Sequence, residues 1–195
     1  MRAEALRAAL VERGALLDGH FRLSSGRHSD RFVQKFRILE DPTVLESIGR
    51  TLAAAVRDRA PTVVVSAAVG GILLGYEVAR ALGTKAIFVE KEAGVPTLRR
   101  GFALGPADRA FVVEDVVTTG ASVREVLAVV AACGATTVGI GVIVRRERSD
   151  FGVETVALLD LPVISYDPAA CPQCAAGEPL VEPGSRFLVK PERLA

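Results

Sequence analysis

Two adjacent acids, Glu114 and Asp115, end an apolar run and meet a hydroxyl-rich turn in "FVVEDVVTTGAS", Phe111–Ser122. The backbone N–H groups of such a turn can converge on an anion, and a helix opening behind it adds its dipole. Thr118, Thr119 and Ser122 can add hydroxyl donors, and Gly120 leaves room for close approach. Carboxylates would repel the same anion. The conflict disappears for a ligand with a phosphate at one end and vicinal hydroxyls beside it, as in a ribose 5-phosphate. The turn then takes the phosphate, and the acids accept hydrogen bonds from the hydroxyls. Taken alone, Asp115 reads more simply as a helix cap in an ordinary βα turn. The whole string favours the site.

Such a turn needs a strand before it and a helix after it, and the chain supplies both. "AFVVED" is a continuous apolar strand, as expected when both faces are covered, and "SVREVLAVVAAC" is a helix stopped at Gly134. Upstream, residues 2–13 form an amphipathic helix ended by Gly14. Asp41-Pro42 reads as an N-cap with a first-turn proline, opening a helix to about Arg59. "TVVVSAAV", "KAIFVE", "TTVGIGVIVRR" and "VETVALLDL" are further strands, the last of these the final one, and Gly70-Gly71 opens a helix closed at Gly83. Residues 91–110 read as a loop or hairpin. Strands alternating with helices imply an α/β fold with a mostly parallel, doubly wound sheet, whose ligands bind beyond the carboxyl ends of the strands. Glu114 and Asp115 are placed at such an end.

Composition narrows the class. The 195 residues suit one domain, and half of them are hydrophobic, enough for a sizeable core. With 24 basic and 23 acidic residues, nothing points to nucleic acid or an anionic membrane surface. The charged start is unlike a signal peptide, and no apolar run is long enough to span a bilayer, so a cytoplasmic protein is expected. Three cysteines are too few for a disulfide scaffold. Cys171 and Cys174 form one C-x-x-C, but a structural zinc site usually takes four ligands and a second pair is absent; His20 and His28 are distant in sequence. The two thiols are therefore expected to be structural or incidental, with a site shared across a dimer as the minority alternative. Cys133 reads as core.

The string "VVEDVVTTGAS" also resembles the PRPP-binding signature of type I phosphoribosyltransferases, and neither G-x-x-x-x-G-K-[ST] nor a strand-linked G-x-G-x-x-G is present. "GHFRLSSGRHSDRF" resembles the N-terminal hood of the orotate phosphoribosyltransferases within that family, and "AAVGGILLG" its pyrophosphate loop. "LRRGF" and the tail "CPQCAAGEPLVEPGSR" resemble one bacterial branch. The resemblance covers most of the chain. It implies a single domain over 1–195, with a central mostly parallel sheet flanked by helices and a small hood formed by 1–40 and the tail 165–195.

The resemblance also assigns roles. PRPP would lie on Glu114, Asp115, Val116, Val117, Thr118, Thr119, Gly120, Ala121 and Ser122, with Gly70 and Gly71 at the pyrophosphate. Lys91, Arg99 and Arg100, on a mobile loop over 90–102 that reaches the neighbouring subunit's site, would add cations; Glu114, Asp115, Lys91 and Arg100 would be catalytic. Ser24, Ser25, Gly26, Arg27 and Thr118 would contact orotate, and Arg146 would hold its carboxylate. The implied reaction joins orotate to PRPP, giving orotidine 5′-monophosphate and pyrophosphate, in a homodimer. Mg²⁺ would be held by PRPP and water, not directly by the chain. The better-known members carry lysines at the positions of Ser24 and Gly70, and of their loop cations only Lys91 persists here. A purine-salvage phosphoribosyltransferase and a non-catalytic PRPP-sensing regulator are the rival readings.

Overall fold

A computed structural model describes residues 1–23 and 25–182. Helix α1 (Ala3–Glu12) buries Leu6 and Leu10, and Gly14 turns the chain with φ of 60°. Strands β1 (Leu16–Arg22) and β2 (His28–Val33) then pair antiparallel. After the short helix α2 (Phe36–Leu39) comes α3 (Pro42–Val56), capped as expected: the Asp41 carboxylate accepts from the amides of Thr43 and Val44, with Pro42 in the first turn. The main sheet is built from β3 (Val63–Ala67), α4 (Gly71–Leu82), β4 (Lys85–Glu92), β5 (Val95–Leu98), β6 (Arg109–Val117), α5 (Ala121–Ala132), β7 (Thr136–Arg145) and β8 (Thr155–Asp160). The chain ends its described part with β9 (Ser165–Tyr166) and the helical turn α6 (Pro172–Ala175).

Six strands lie in the order β5-β4-β3-β6-β7-β8, parallel except for β5. A second sheet, β1-β2-β9, joins the N-terminal segment and the tail, the segments expected to form the hood; β9 was not anticipated, because two residues are too few to show a period. Alternation along β6 explains why this strand is central. Phe111 and Val113 enter one core with Leu10, Ile48, Leu52 and Leu74, while Ala110 and Val112 enter another with Val123, Val126 and Val130 of α5. The two cores clamp β6 between helices and hold the turn at its carboxyl end in place. Glycine serves this packing too: a Cβ on Gly141 of β7 would fall 2.7 Å from the Phe111 ring.

The hood also brings together groups that are far apart in the chain. His20 on β1 and His28 on β2 lie beside Cys171 and Cys174. This corrects the expectation that the C-x-x-C pair lacks partners. Pairing of β1 with β2 removes the sequence distance between the histidines. Cys133 is half-buried at the C-cap of α5 rather than in the core.

Candidate active site

Strand β6 does not stop at the acids, as the sequence suggested, but runs through them to Val117. Both carboxyl groups are therefore held by sheet and are nearly buried, Glu114 at 7% exposure and Asp115 at 2%. Asp115 turns toward Lys35, just beyond β2, whose ammonium lies 2.8 Å from Oδ2 and donates to Oδ1 at 3.0 Å. The Val116 amide donates to the same Oδ1 at 2.6 Å. Sequence reasoning missed Lys35, because nothing in its local spacing marks it. The signal lay at Gly70: a Cβ there would fall 2.0 Å from Asp115 Oδ2 and 2.6 Å from Lys35 Nζ. Lys35 and Asp115 thus occupy the space that a side chain on residue 70 would need.

Glu114 lines the neighbouring cleft, and its Oε1 accepts from the Asp115 amide at 3.1 Å. Burial pushes its carboxyl up to about 8, and the charge of Asp115 adds to the rise; the amide bond and Lys35 oppose it. In the ligand-free chain at neutral pH, Glu114 is mostly protonated. The upward shift favours the neutral form of Glu114, while the Asp115 carboxylate is paired with Lys35.

The turn behind them has the anticipated form. Glu114 and Val116 to Val123 line an open cleft with about 250 Å³ of empty space, and Thr118, Thr119, Ala121 and Ser122 are exposed in it. Among the described residues, the amides of Thr118, Thr119 and Gly120 donate no hydrogen bond, and those opening α5 have no intrahelical acceptor. Converging free donors suit a phosphate. Gly120 is also required by its backbone and its neighbours. Its φ is 78°, and a Cβ would meet the Phe151 ring at 2.6 Å and Arg124 Nη1 at 2.8 Å. Arg124 stacks over Phe151 with 5.0 Å to the ring centroid and donates to the Thr119 carbonyl at 2.9 Å. These two side chains shape the turn, and the motif did not reveal them. Val117 offers no side chain, being buried in the core, and its carbonyl accepts from the Arg146 amide at 2.8 Å. Gly71 is likewise explained by packing, since a Cβ would fall 3.0 Å from Ser66 Cβ.

That backbone bond ties Arg146 to the end of β6. Arg145 is committed elsewhere, to both oxygens of Asp160 at 2.6 and 2.9 Å. Among the described residues Arg146 forms no salt bridge, and its buried Nε has no hydrogen-bond partner. Burial lowers its pKa, so the unpaired guanidinium is poised for an anion. Of the loop or hairpin expected over 91–110, the first part is the β4–β5 hairpin. Lys91 pairs with Glu125 at 2.7 Å, Arg99 with Glu92 at 3.3 Å and Arg100 with Glu90 at 3.0 Å. All three cations are paired with carboxylates of their own chain. In the hood, Gly26 turns with φ of 80°, and Ser25 is exposed. Arg27 donates to the Ser165 hydroxyl and carbonyl, at 2.9 and 2.6 Å, and so braces β9. Ser24 lies outside the described residues.

The only group of three or more His, Cys, Asp or Glu side chains placed to hold a metal, among the described residues, is the histidine–cysteine set in the hood. Two carboxyls with one lysine are not a cage for a hard dication. They fit a Mg²⁺ that arrives on substrate phosphates and keeps its waters.

Residues 37–157 match the phosphoribosyl transferase domain family. The chain is 51% identical to an orotate phosphoribosyltransferase of Pelotomaculum thermopropionicum, covering 92% of this chain and 95% of that one. It is 49% identical to that of Heliobacterium modesticaldum, over 88% of this chain and 92% of the relative. Among solved structures, the orotate phosphoribosyltransferase of Aeropyrum pernix superposes with a TM-score of 0.68 at 28% identity, covering 80% of this chain and 93% of that one.

Proposed function

This chain belongs to the orotate phosphoribosyltransferase family and transfers the phosphoribosyl group of PRPP to orotate, and we propose that it does so on the Glu114–Ser122 segment. The observation that carries this assignment is the turn at 118–122, with its free amides and exposed hydroxyls set directly behind two buried acids. The amides and hydroxyls take the 5-phosphate. Glu114 and Asp115 hold the ribose diol, and in doing so fix the anomeric carbon. There the bond to pyrophosphate breaks with oxocarbenium character while a bond to the orotate ring nitrogen forms. That nitrogen is itself the nucleophile and gives up its proton to the departing pyrophosphate, so no protein nucleophile is needed, and positioning is the protein's main task. Arg146 receives the orotate carboxylate, supported by its buried Nε, which has no hydrogen-bond partner among the described residues. Mg²⁺ bound with PRPP supplies charge neutralisation for the departing pyrophosphate.

The cations of the hairpin become available when their internal ion pairs open. The pairs of Lys91 and Arg99 are largely exposed, and such pairs hold by only about 0–1 kcal/mol each, while Glu90 beneath Arg100 is more buried. The working unit is a homodimer with the hairpin reaching the neighbouring site. Leu73 and Tyr76 on one face of α4, with Val69 just ahead, support this: they are 49%, 61% and 72% exposed, an apolar stripe that needs cover. Residues 1–40 and the tail from 165 act as the hood over the base; of the tail, 183–195 lie outside the described residues. The place of work is the cytoplasm, in keeping with three unpaired cysteines and, among the described residues, no helix able to cross a membrane.

The test mixes the protein with PRPP, Mg²⁺ and orotate and follows the orotate ultraviolet band, with adenine, hypoxanthine and xanthine in parallel. Loss of the band with orotate alone is expected. Turnover of a purine and not of orotate would overturn the reading, and PRPP binding without turnover of any base would make the chain a sensor.

A further inference from the structure

Outside the family-matched segment, four side chains converge where the hood meets the tail. The donor atoms of His20, His28, Cys171 and Cys174 all lie within 4.8 Å of one another. His20 Nε2 is 3.1 Å from His28 Nδ1, 3.5 Å from Cys171 Sγ and 3.6 Å from Cys174 Sγ; Cys174 Sγ is 3.2 Å from His28 Nδ1. Tetrahedral zinc bonds to imidazole nitrogen and thiolate sulfur place two nitrogens about 3.3 Å apart, and a nitrogen and a sulfur about 3.6 Å apart. The four measured separations fall close to those edges.

Hydrogen bonding accounts poorly for this arrangement. His20 Nδ1 lies 3.0 Å from the Glu178 carbonyl, which can only accept, so Nδ1 carries the proton and Nε2 is a bare lone pair. That single lone pair faces three neighbours at once. A cation at their centre satisfies all four groups. The bond from Nδ1–H to a backbone carbonyl is also the contact that orients a metal-bound histidine.

We propose that His20, His28, Cys171 and Cys174 form a structural Zn²⁺ site that clips the tail onto the hood. Two thiolates and two imidazoles in a tetrahedron favour zinc, and a full set of four protein ligands leaves no open position for catalysis. His20, His28 and Cys171 are buried while Cys174 is exposed, which gives the ion a way in. The ligand-bearing turn is already shaped: Pro172 begins α6, Gly177 reverses the chain with φ of 72°, and Gln173 Nε2 donates to the Gly19 carbonyl at 3.2 Å. Beyond it, the Val181 amide donates to the His20 carbonyl at 2.8 Å, and the Arg22 amide to the Val181 carbonyl at 2.9 Å. The ion therefore closes a long loop of chain and braces the two strands that carry the Ser25–Arg27 turn. The site stands independently of the assigned reaction.

The test uses the full chain, expressed with added zinc, reduced and desalted. Elemental analysis should find one zinc per chain. After chelation, added Co²⁺ should give the visible ligand-field and thiolate charge-transfer bands of a tetrahedral site, and Zn²⁺ should abolish them. Cys174→Ser and His28→Gln should each lose the zinc, while Cys133→Ser keeps it. Should the site variants fail to fold, the Co²⁺ titration of the unaltered chain still decides. A folded chain that carries no zinc and shows no Co²⁺ bands, or full zinc retained in the Cys174→Ser/His28→Gln double variant, would overturn the proposal.

Discussion

Replacing Glu114 by glutamine removes one ionisation and little else, because the amide has the shape of the neutral acid that the fold prefers. The carboxyl is pushed from 4.5 to about 8, first by burial and then by the charge of Asp115. A folded value above the unfolded one means the native state binds the proton more tightly. The stabilisation from that proton is complete below about 4.5 and is lost as the pH rises through about 8. Between about pH 6 and about pH 9, the linkage relation gives a loss on the order of 2–3 kcal/mol from this group alone. Urea denaturation of the ligand-free protein and of Glu114→Gln at both pH values measures it. The parent should lose that much more stability than the variant, all other titrating groups being common to both. Equal losses would refute the claim that Glu114 is buried against its charge.

The same geometry sets further expectations. Lys35→Met strands the buried Asp115 carboxylate and should lower stability by on the order of 2–3 kcal/mol near neutral pH, read by urea melts; the half-exposed lysine keeps the loss at the low end of buried pairs. Asp115→Asn should leave the fold intact and cut turnover by ~10²-fold; unchanged turnover would remove Asp115 from the chemistry. Arg146→Ala should raise the KM for orotate far more than that for PRPP, and an equal rise in both would sink the carboxylate assignment. Leu73→Glu should shift the protein to a monomer by sedimentation, and an unchanged sedimentation coefficient would move the dimer contact elsewhere.

The sequence revealed most where chemistry and local folding share one stretch of chain. The segment 111–122 shows its strand, its turn and its helix start because apolar run, acids and glycine are consecutive. The Asp41-Pro42 cap was readable for the same reason. What stayed hidden depends on groups brought together by tertiary packing. Lys35 reaches Asp115 from 80 positions away in sequence, and only the absence of a side chain at Gly70 leaves it room. Phe151 and Arg124 explain Gly120 by approaching from later in the chain, where no motif points to them. The protonation of Glu114 results from burial, which residue identity alone does not disclose. His20 and His28 reach the cysteine pair through a β-hairpin and a tail that meets it across 151 positions. The hairpin cations could be recognised as cations, but not that each already holds an acid of its own chain.

A crystal structure of the protein with PRPP and Mg²⁺ tests the account most directly. It should show the 5-phosphate among the amides of Thr118–Ser122 and the ribose hydroxyls bonded to Glu114 and Asp115. Electron density with the phosphate seated anywhere else, or with the sugar turned away from those two carboxyls, would contradict it.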